Sequence, residues 1–233
     1  MSRIKNSRDL REKANVVAAV HSPGALKCAL KVRPEEVDFL EIRVDNFADD
    51  LQALLPALPR LKVPLLVTVR HPAEGGANNL GFPRRRELFS QFLSHATLID
   101  VELRSFEKLA GTIADARRAG VKVIASVHHF HSTPSTANIL RAVRRAHTAG
   151  ADICKVAALA NTPAALGQLL AVFDKKLPLP VSVMGMGRFG KISRLLLAQA
   201  GSVLNYGYLD RPNASGQWEA RTLKTRLAEL IEG

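Results

Sequence analysis

Residues 121–159 read VKVIASVHHF HSTPSTANIL RAVRRAHTAG ADICKVAAL. Two largely apolar, β-branched runs, Val121–Val127 and Ile153–Leu159, flank a stretch in which Ile139, Leu140, Val143 and Ala146 recur at helical spacing. Thr133-Pro134 predicts a helix start, with an N-cap followed by proline at the first helical position, and Gly150 predicts the stop. The runs are mostly continuous rather than alternating, as expected of strands covered on both faces in a parallel sheet. The segment reads as one strand–helix–strand unit.

The same unit recurs in both directions. Further runs lie at Val16–Val20, Phe39–Val44, Val63–Val69, Leu98–Leu103, Val181–Met186 and Val203–Leu209, which makes eight. Helical stripes fall between them at Leu88, Phe89, Phe92 and Leu93, at Leu109, Ile113, Ala116 and Ala119, and at Leu166, Leu169, Leu170 and Phe173. Thr162-Pro163 repeats the start signal, Gly120 repeats the stop, and an amphipathic stretch near Gln217–Leu230 would close the chain. Eight strand–helix repeats predict an α/β protein, a single-domain (β/α)8 barrel over residues 1–233, with residues 1–14 a short basic arm. The competitor, an open doubly wound sheet, usually has fewer strands, and no G-x-G-x-x-G follows the first run.

A 47% apolar fraction in 233 residues suffices for a core without disulfide or metal. Cys28 and Cys154 lie far apart and match no metal spacing, which suits a reducing, cytoplasmic location. Neither a membrane span nor a secretory signal is expected. The net charge of +12 raises the question of nucleic acid, but the basic residues are dispersed and aromatics make up 5%. Arg84-Arg85-Arg86, Arg117-Arg118, Arg141 with Arg144-Arg145, and Lys175-Lys176 read as solvated helix faces. The excess charge is also compatible with attracting a small anionic substrate.

In a barrel, function gathers at the C-terminal strand ends. Lys155 is the sharpest candidate, because a lysine inside an apolar strand is costly unless paired or neutralised. Desolvation and nearby cations such as Arg194 would yield a neutral amine that attacks carbonyls; the plain alternative is an ion pair with Glu102 or Glu41. Imine chemistry needs a proton shuttle, and His128, His129 and His131 offer imidazoles. His128 and His129 should face opposite ways, which argues against a metal site, and parity alone does not choose between them. Glu74 could orient a histidine, while Arg43, Arg70 and Arg194 suit a carboxylate or vicinal hydroxyls. Glu41, Arg43 and Asp45 could equally form a rim ion-pair network. Gly185, Gly187 and Gly190 before a helix could cradle an anion or simply make a tight turn.

In combination, Glu41-Ile42-Arg43-Val44-Asp45, Thr68-Val69-Arg70 with Glu74-Gly75-Gly76, Ser126-Val127-His128-His129-Phe130, Asp152-Ile153-Cys154-Lys155-Val156-Ala157, Met184-Gly185-Met186-Gly187 with Ile192-Ser193-Arg194, and Gly216-Gln217 resemble type I 3-dehydroquinate dehydratase, in the family's order and over nearly the whole chain. The resemblance implies a shikimate-pathway lyase, without metal or cofactor and often homodimeric. It would convert 3-dehydroquinate to 3-dehydroshikimate by syn elimination of water through a Schiff base. It casts Lys155 as the imine-forming lysine, His128 as the general acid/base and Glu74 as its partner. Arg194 and Gln217 would contact the carboxylate and form the lid, and Glu41, Arg43 and Arg70 would bind hydroxyls; Asn213 can donate to a carboxylate. Neither nucleic acid nor a membrane is expected as a partner.

Three departures stand out. His129 stands where the family usually has aspartate, which should lower the pKa of His128. The closing loop reads Asn213-Ala214-Ser215-Gly216-Gln217 instead of Ser-Ala-Pro-Gly-Gln, and losing the proline should loosen it. The short N-terminal segment should leave a different cap on the barrel bottom. The competing readings are another Schiff-base barrel lyase of aldolase type, and a basic barrel that binds anions with a structural Lys155.

Overall fold

The computed structural model describes residues 14–231; the arm expected over 1–14 and any bottom cap it forms fall, apart from Ala14, outside the described residues. Eight parallel strands run β1 (Asn15–Val20), β2 (Phe39–Arg43), β3 (Leu65–Thr68), β4 (Ala96–Glu102), β5 (Lys122–His129), β6 (Ile153–Leu159), β7 (Val181–Met186) and β8 (Leu204–Tyr208). They lie in the order β7-β6-β5-β4-β3-β2-β1-β8. The ring closes between β7 and β8 without a regular ladder. There Val203 N–H donates to the Val181 carbonyl, Ser182 Oγ donates to Leu204 O, and Ser202 Oγ bonds both the N–H and the carbonyl of Val183. The expected barrel is the observed fold.

The helices α1 (Pro23–Ala29), α2 (Leu51–Leu54), α3 (Phe82–Phe92), α4 (Ala110–Arg118), α5 (Thr136–Thr148), α6 (Pro163–Leu170), α7 (Gly190–Gln199) and α8 (Ala220–Ile231) pack outside the strands. Thr162 caps α6 through the Ala165 N–H, as its sequence predicts. The cap of α5 is Ser135, not Thr133; the Thr133 hydroxyl instead donates to the Leu159 carbonyl at the end of β6. Gly120 and Gly150 follow α4 and α5 with φ of 71° and 75°, a left-handed conformation cheap only for glycine.

Alternation along each strand sorts the core into two compartments. Val16, Ile42, Val67, Ile99, Val123, Val156 and Val183 face outward against the helices. Val17, Phe39, Leu66, Leu98, Ile124, Ile153 and Leu204 fill the barrel interior. One inward step further along, the interior turns polar, with Glu41, Thr68, Asp100, Ser126, Lys155 and Ser182 all buried.

The expectation of solvated basic helix faces fails at Arg85, which is fully buried. Its Nη2 lies 2.6 Å from Glu102 Oε2, Nη1 donates to Ser105 Oγ, and Nε donates to the Val69 carbonyl. Glu102 also accepts from Arg70 Nη1 and from the His71 N–H, so one carboxylate ties α3 to the ends of β3 and β4. Removing one partner of a buried pair costs about 3–5 kcal/mol. Arg85→Met is therefore expected to lower unfolding free energy by about 3 kcal/mol, the low end because Arg70 still serves Glu102. A denaturant-midpoint change equivalent to less than about 1 kcal/mol would show that this pair is solvated.

Candidate active site

Inward parity delivers Lys155 to the barrel mouth two residues above Ile153, and it is 4% exposed. Its Nζ donates to Asp100 Oδ2 at 2.9 Å, lies 3.8 Å from Glu41 Oε1, and sits 3.9 Å from the centroid of the Tyr206 ring. Its ion-pair partners are thus Asp100 and, more distantly, Glu41; Arg194, the cationic neighbour expected from sequence, instead bonds main-chain carbonyls. Arg70 holds Asp100 from the other side through two parallel bonds of 3.0 and 2.8 Å. That pairing, with Lys155, holds the Asp100 carboxyl far below the usual carboxylate range against the opposing effect of burial.

On β5, parity points His128 inward after Ile124 and Ser126. Its Nδ1 lies 2.9 Å from Glu74 Oε2, and the same oxygen accepts the His128 backbone N–H at 3.1 Å. Burial pushes both members towards neutrality. The Glu74 carboxyl rises to about 7, and the His128 imidazole falls well below its usual value, helped by Arg70 and Lys155. His129 is not among the main causes of that fall, contrary to expectation. It lies with Pro134, Asn138, Arg141 and Arg145 in a separate hollow behind Glu74.

Glu74 and His128 titrate as one unit, because they share a hydrogen bond of 2.9 Å and the charge on either changes the proton affinity of the other. With the pair's first added proton taken up near 7, kcat/KM is expected to hold above that pH and fall with a slope of one proton below it. Glu74→Gln, which leaves only the depressed histidine, should move the acid limb downward; an unmoved limb in a pH–rate profile would exclude the pair as its origin.

Arg194, on α7, is 1% exposed and has no acidic partner among the described residues. Its Nε donates to Tyr206 O at 2.8 Å, and its Nη1 to the carbonyls of Gly185, Gly190 and Gly216. Burial lowers its pKa to about 10, so it stays charged at neutral pH. It is a buried cation answered only by carbonyl dipoles, with Nη2 unbonded among the described residues. Arg43 is held by Asp45 through bonds of 3.0 and 2.8 Å, and Asp45 also accepts the N–H groups of Arg70 and Ala77. The expected rim network is thus an Arg43–Asp45 pair, while Glu41 turns instead towards Lys155 and Thr68.

The loop over 213–217 is tied down although it lacks proline. Ser215, in the proline position, accepts the Gly187 N–H through both its hydroxyl and its carbonyl, and Gln217 Oε1 accepts the N–H groups of Asn213 and Ala214. A side chain at Gly190 would stand 2.7 Å from the Gly216 Cα, so these glycines serve a close backbone approach.

These elements enclose a cavity of about 160 Å³. It is lined by all nine residues singled out in sequence: Lys155, His128, Glu74, Glu41, Arg43, Arg70, Arg194, Asn213 and Gln217. It also receives Tyr206, Met184, Met186 and Phe130, which stacks on His128 with ring centroids 6.0 Å apart. Asp100, the anchor of Lys155, is a carboxylate inside the otherwise apolar start of the run Leu98–Leu103. Tyr206 carried no such signal, since an aromatic residue in a strand ordinarily reads as core.

The family model for type I 3-dehydroquinase matches residues 17–232. The chain belongs to the type I 3-dehydroquinase family. Membership makes it a hydro-lyase, a 3-dehydroquinate dehydratase of type I. It is 34% identical over 196 residues to the 3-dehydroquinate dehydratase of Klebsiella pneumoniae, covering 77% of each chain. The crystal structure of 3-dehydroquinate dehydratase from Geobacillus kaustophilus superposes with a TM-score of 0.84 at 28% identity, covering 94% of this chain and 92% of that one. The type I enzyme of Clostridium difficile, solved with covalently modified comenic acid, also gives 0.84, at 26% identity and 94% and 93% coverage. Among the described residues, no helix of this family member is long and apolar enough to cross a membrane, and no cluster of His, Cys, Asp and Glu is arranged to hold a metal ion.

Proposed function

We propose that the chain eliminates water from 3-dehydroquinate through an imine on Lys155, as a shikimate-pathway enzyme. One observation carries this reading: a buried amine, an imidazole–carboxylate pair and an acid-free buried guanidinium open into one cavity. Each supplies a part the reaction needs.

The Lys155 amine adds to the C3 ketone, and the carbinolamine loses water to give a protonated imine. That cation draws electrons from the ring and acidifies C2. Neutral His128, kept so by burial, takes the C2 proton, with Glu74 stabilising the resulting imidazolium. The electron pair forms the C1–C2 double bond, and the C1 hydroxyl leaves with the proton His128 returns. Water then hydrolyses the imine, releasing 3-dehydroshikimate and free Lys155. Proton removal and return by one imidazole on one face account for a syn elimination.

Arg194 is the carboxylate anchor, since a buried guanidinium without a counter-ion gains most from a ligand anion. Gln217 and Asn213 close the site from the loop above. Arg43, aimed by Asp45, and Glu41, held by Thr68 Oγ1 at 2.9 Å, meet the ring hydroxyls. Arg70 completes that set at the cavity wall, although four of its bonds go to Asp100, Glu102 and Ser126. That the Clostridium difficile relative was solved with covalently modified comenic acid agrees with a covalent route. The reading includes a cytoplasmic location, consistent with the free Cys28 and Cys154, and a homodimer to be checked by solution mass.

Addition of 3-dehydroquinate to the purified protein should produce the ultraviolet absorbance of a conjugated enone, with aldol substrates unaffected. Absence of that absorbance alongside aldol cleavage would favour the aldolase-type alternative.

A further inference from the structure

Beside the carboxylates of Asp100 and Glu41, the Lys155 nitrogen meets the face of the Tyr206 ring. Nζ stands 3.9 Å from its centroid, within the range at which a cation is attracted to an aromatic face. The ring is 3% exposed and packs in the barrel interior with Ala157, Met184 and Met186, so its face is held at a set depth beside the cavity. Hydrogen bonding does not explain its place, because the Tyr206 hydroxyl is buried without a partner among the described residues. Burial, with Glu41 and Asp100 nearby, holds that hydroxyl neutral, so no phenolate competes for the cation.

The chemistry of the lysine gives this contact a consequence. A lysine ammonium has three N–H donors, and one goes to Asp100 with Glu41 a little further away. Once the nitrogen is a protonated imine it keeps the positive charge but only one N–H. Contacts that depend on donors thin out at that moment, whereas attraction to a π face depends on the charge and persists. A seat that holds the nitrogen in both states favours the protonated imine over the free amine.

We propose that Tyr206 is a positioning residue whose ring face seats the Lys155 nitrogen through imine formation. This rests on Lys155 forming the imine.

The test replaces residue 206 with phenylalanine and with phenylalanines carrying one, two and three ring fluorines, which drain the π face with little change of shape. Tyr206→Met removes the face. Borohydride trapping is followed during a single turnover at saturating 3-dehydroquinate, and the adduct is located by mass. Tyr206→Phe, which also removes an unpaired buried hydroxyl, should keep the wild-type melting temperature or exceed it and trap within about threefold of wild type. The trapping rate should then fall stepwise with fluorination, to about tenfold lower at three fluorines and with Tyr206→Met. A flat fluorine series, or full trapping by Tyr206→Met, overturns the proposal. Failure of the wild-type protein to form any adduct on Lys155 overturns instead the imine reading beneath it.

Discussion

Borohydride added during turnover of 3-dehydroquinate is expected to leave one reduced ligand on Lys155, located by peptide mapping, and Lys155→Ala is expected to abolish both adduct and turnover. The size of the effect follows from what the barrel does for this amine. Lys155 is held inside a strand, 4% exposed, with Nζ aligned by Asp100 and Glu41 at the wall of the cavity that would receive the ketone. A nucleophile so placed acts at an effective molarity on the order of 10⁵ M or more, so its loss should lower kcat by about 10⁵-fold. Because Ala at 155 leaves Asp100 and Arg70 paired, the variant should fold. Unmodified Lys155 in a protein that turns over at full rate would refute the imine.

The second large effect belongs to His128. His128→Ala should lower kcat by roughly 10²–10⁴-fold, the usual contribution of a general acid–base group. It should nevertheless still allow an adduct to be trapped on Lys155, because in the proposed mechanism its task follows imine formation. His129→Ala should remain near wild type, since that ring lies in the hollow behind Glu74 and outside the cavity. The comparison is read by steady-state rates alongside trapping, and a more damaging His129→Ala would reverse the assignment.

These two experiments bear on features of unequal legibility. Lys155 was conspicuous from one strand, since a charge in Ile153–Leu159 has few harmless explanations. His128 and His129 were not separable, because adjacent strand residues differ only in which face they occupy. The register that places Ser126 beside Lys155 and His128 beside Ala157 settles which faces inward. Arg85 misled for a related reason. Its position between two other arginines looks like a solvated run, and only Glu102 arriving from β4 explains a guanidinium with no exposure. The loop at 213–217 read as loosened without its proline, but the partner that ties Ser215, the Gly187 N–H, lies 28 residues away in sequence.

The order of strands and helices, and with it the barrel and the rim at which function gathers, was set locally. Apolar period, capping residues and terminal glycines act over a few residues and can be read where they stand. What only the tertiary structure decided is which polar groups meet. Asp100 with Lys155, Glu74 with His128, Arg194 with carbonyls of β7, β8 and the 213–217 loop, and Tyr206 beneath the amine are contacts made by closing eight strands into a ring. Whether a buried charge is met by a carboxylate, as Arg85 is, or by main-chain carbonyls, as Arg194 is among the described residues, depends on neighbours that no stretch of sequence carries with it.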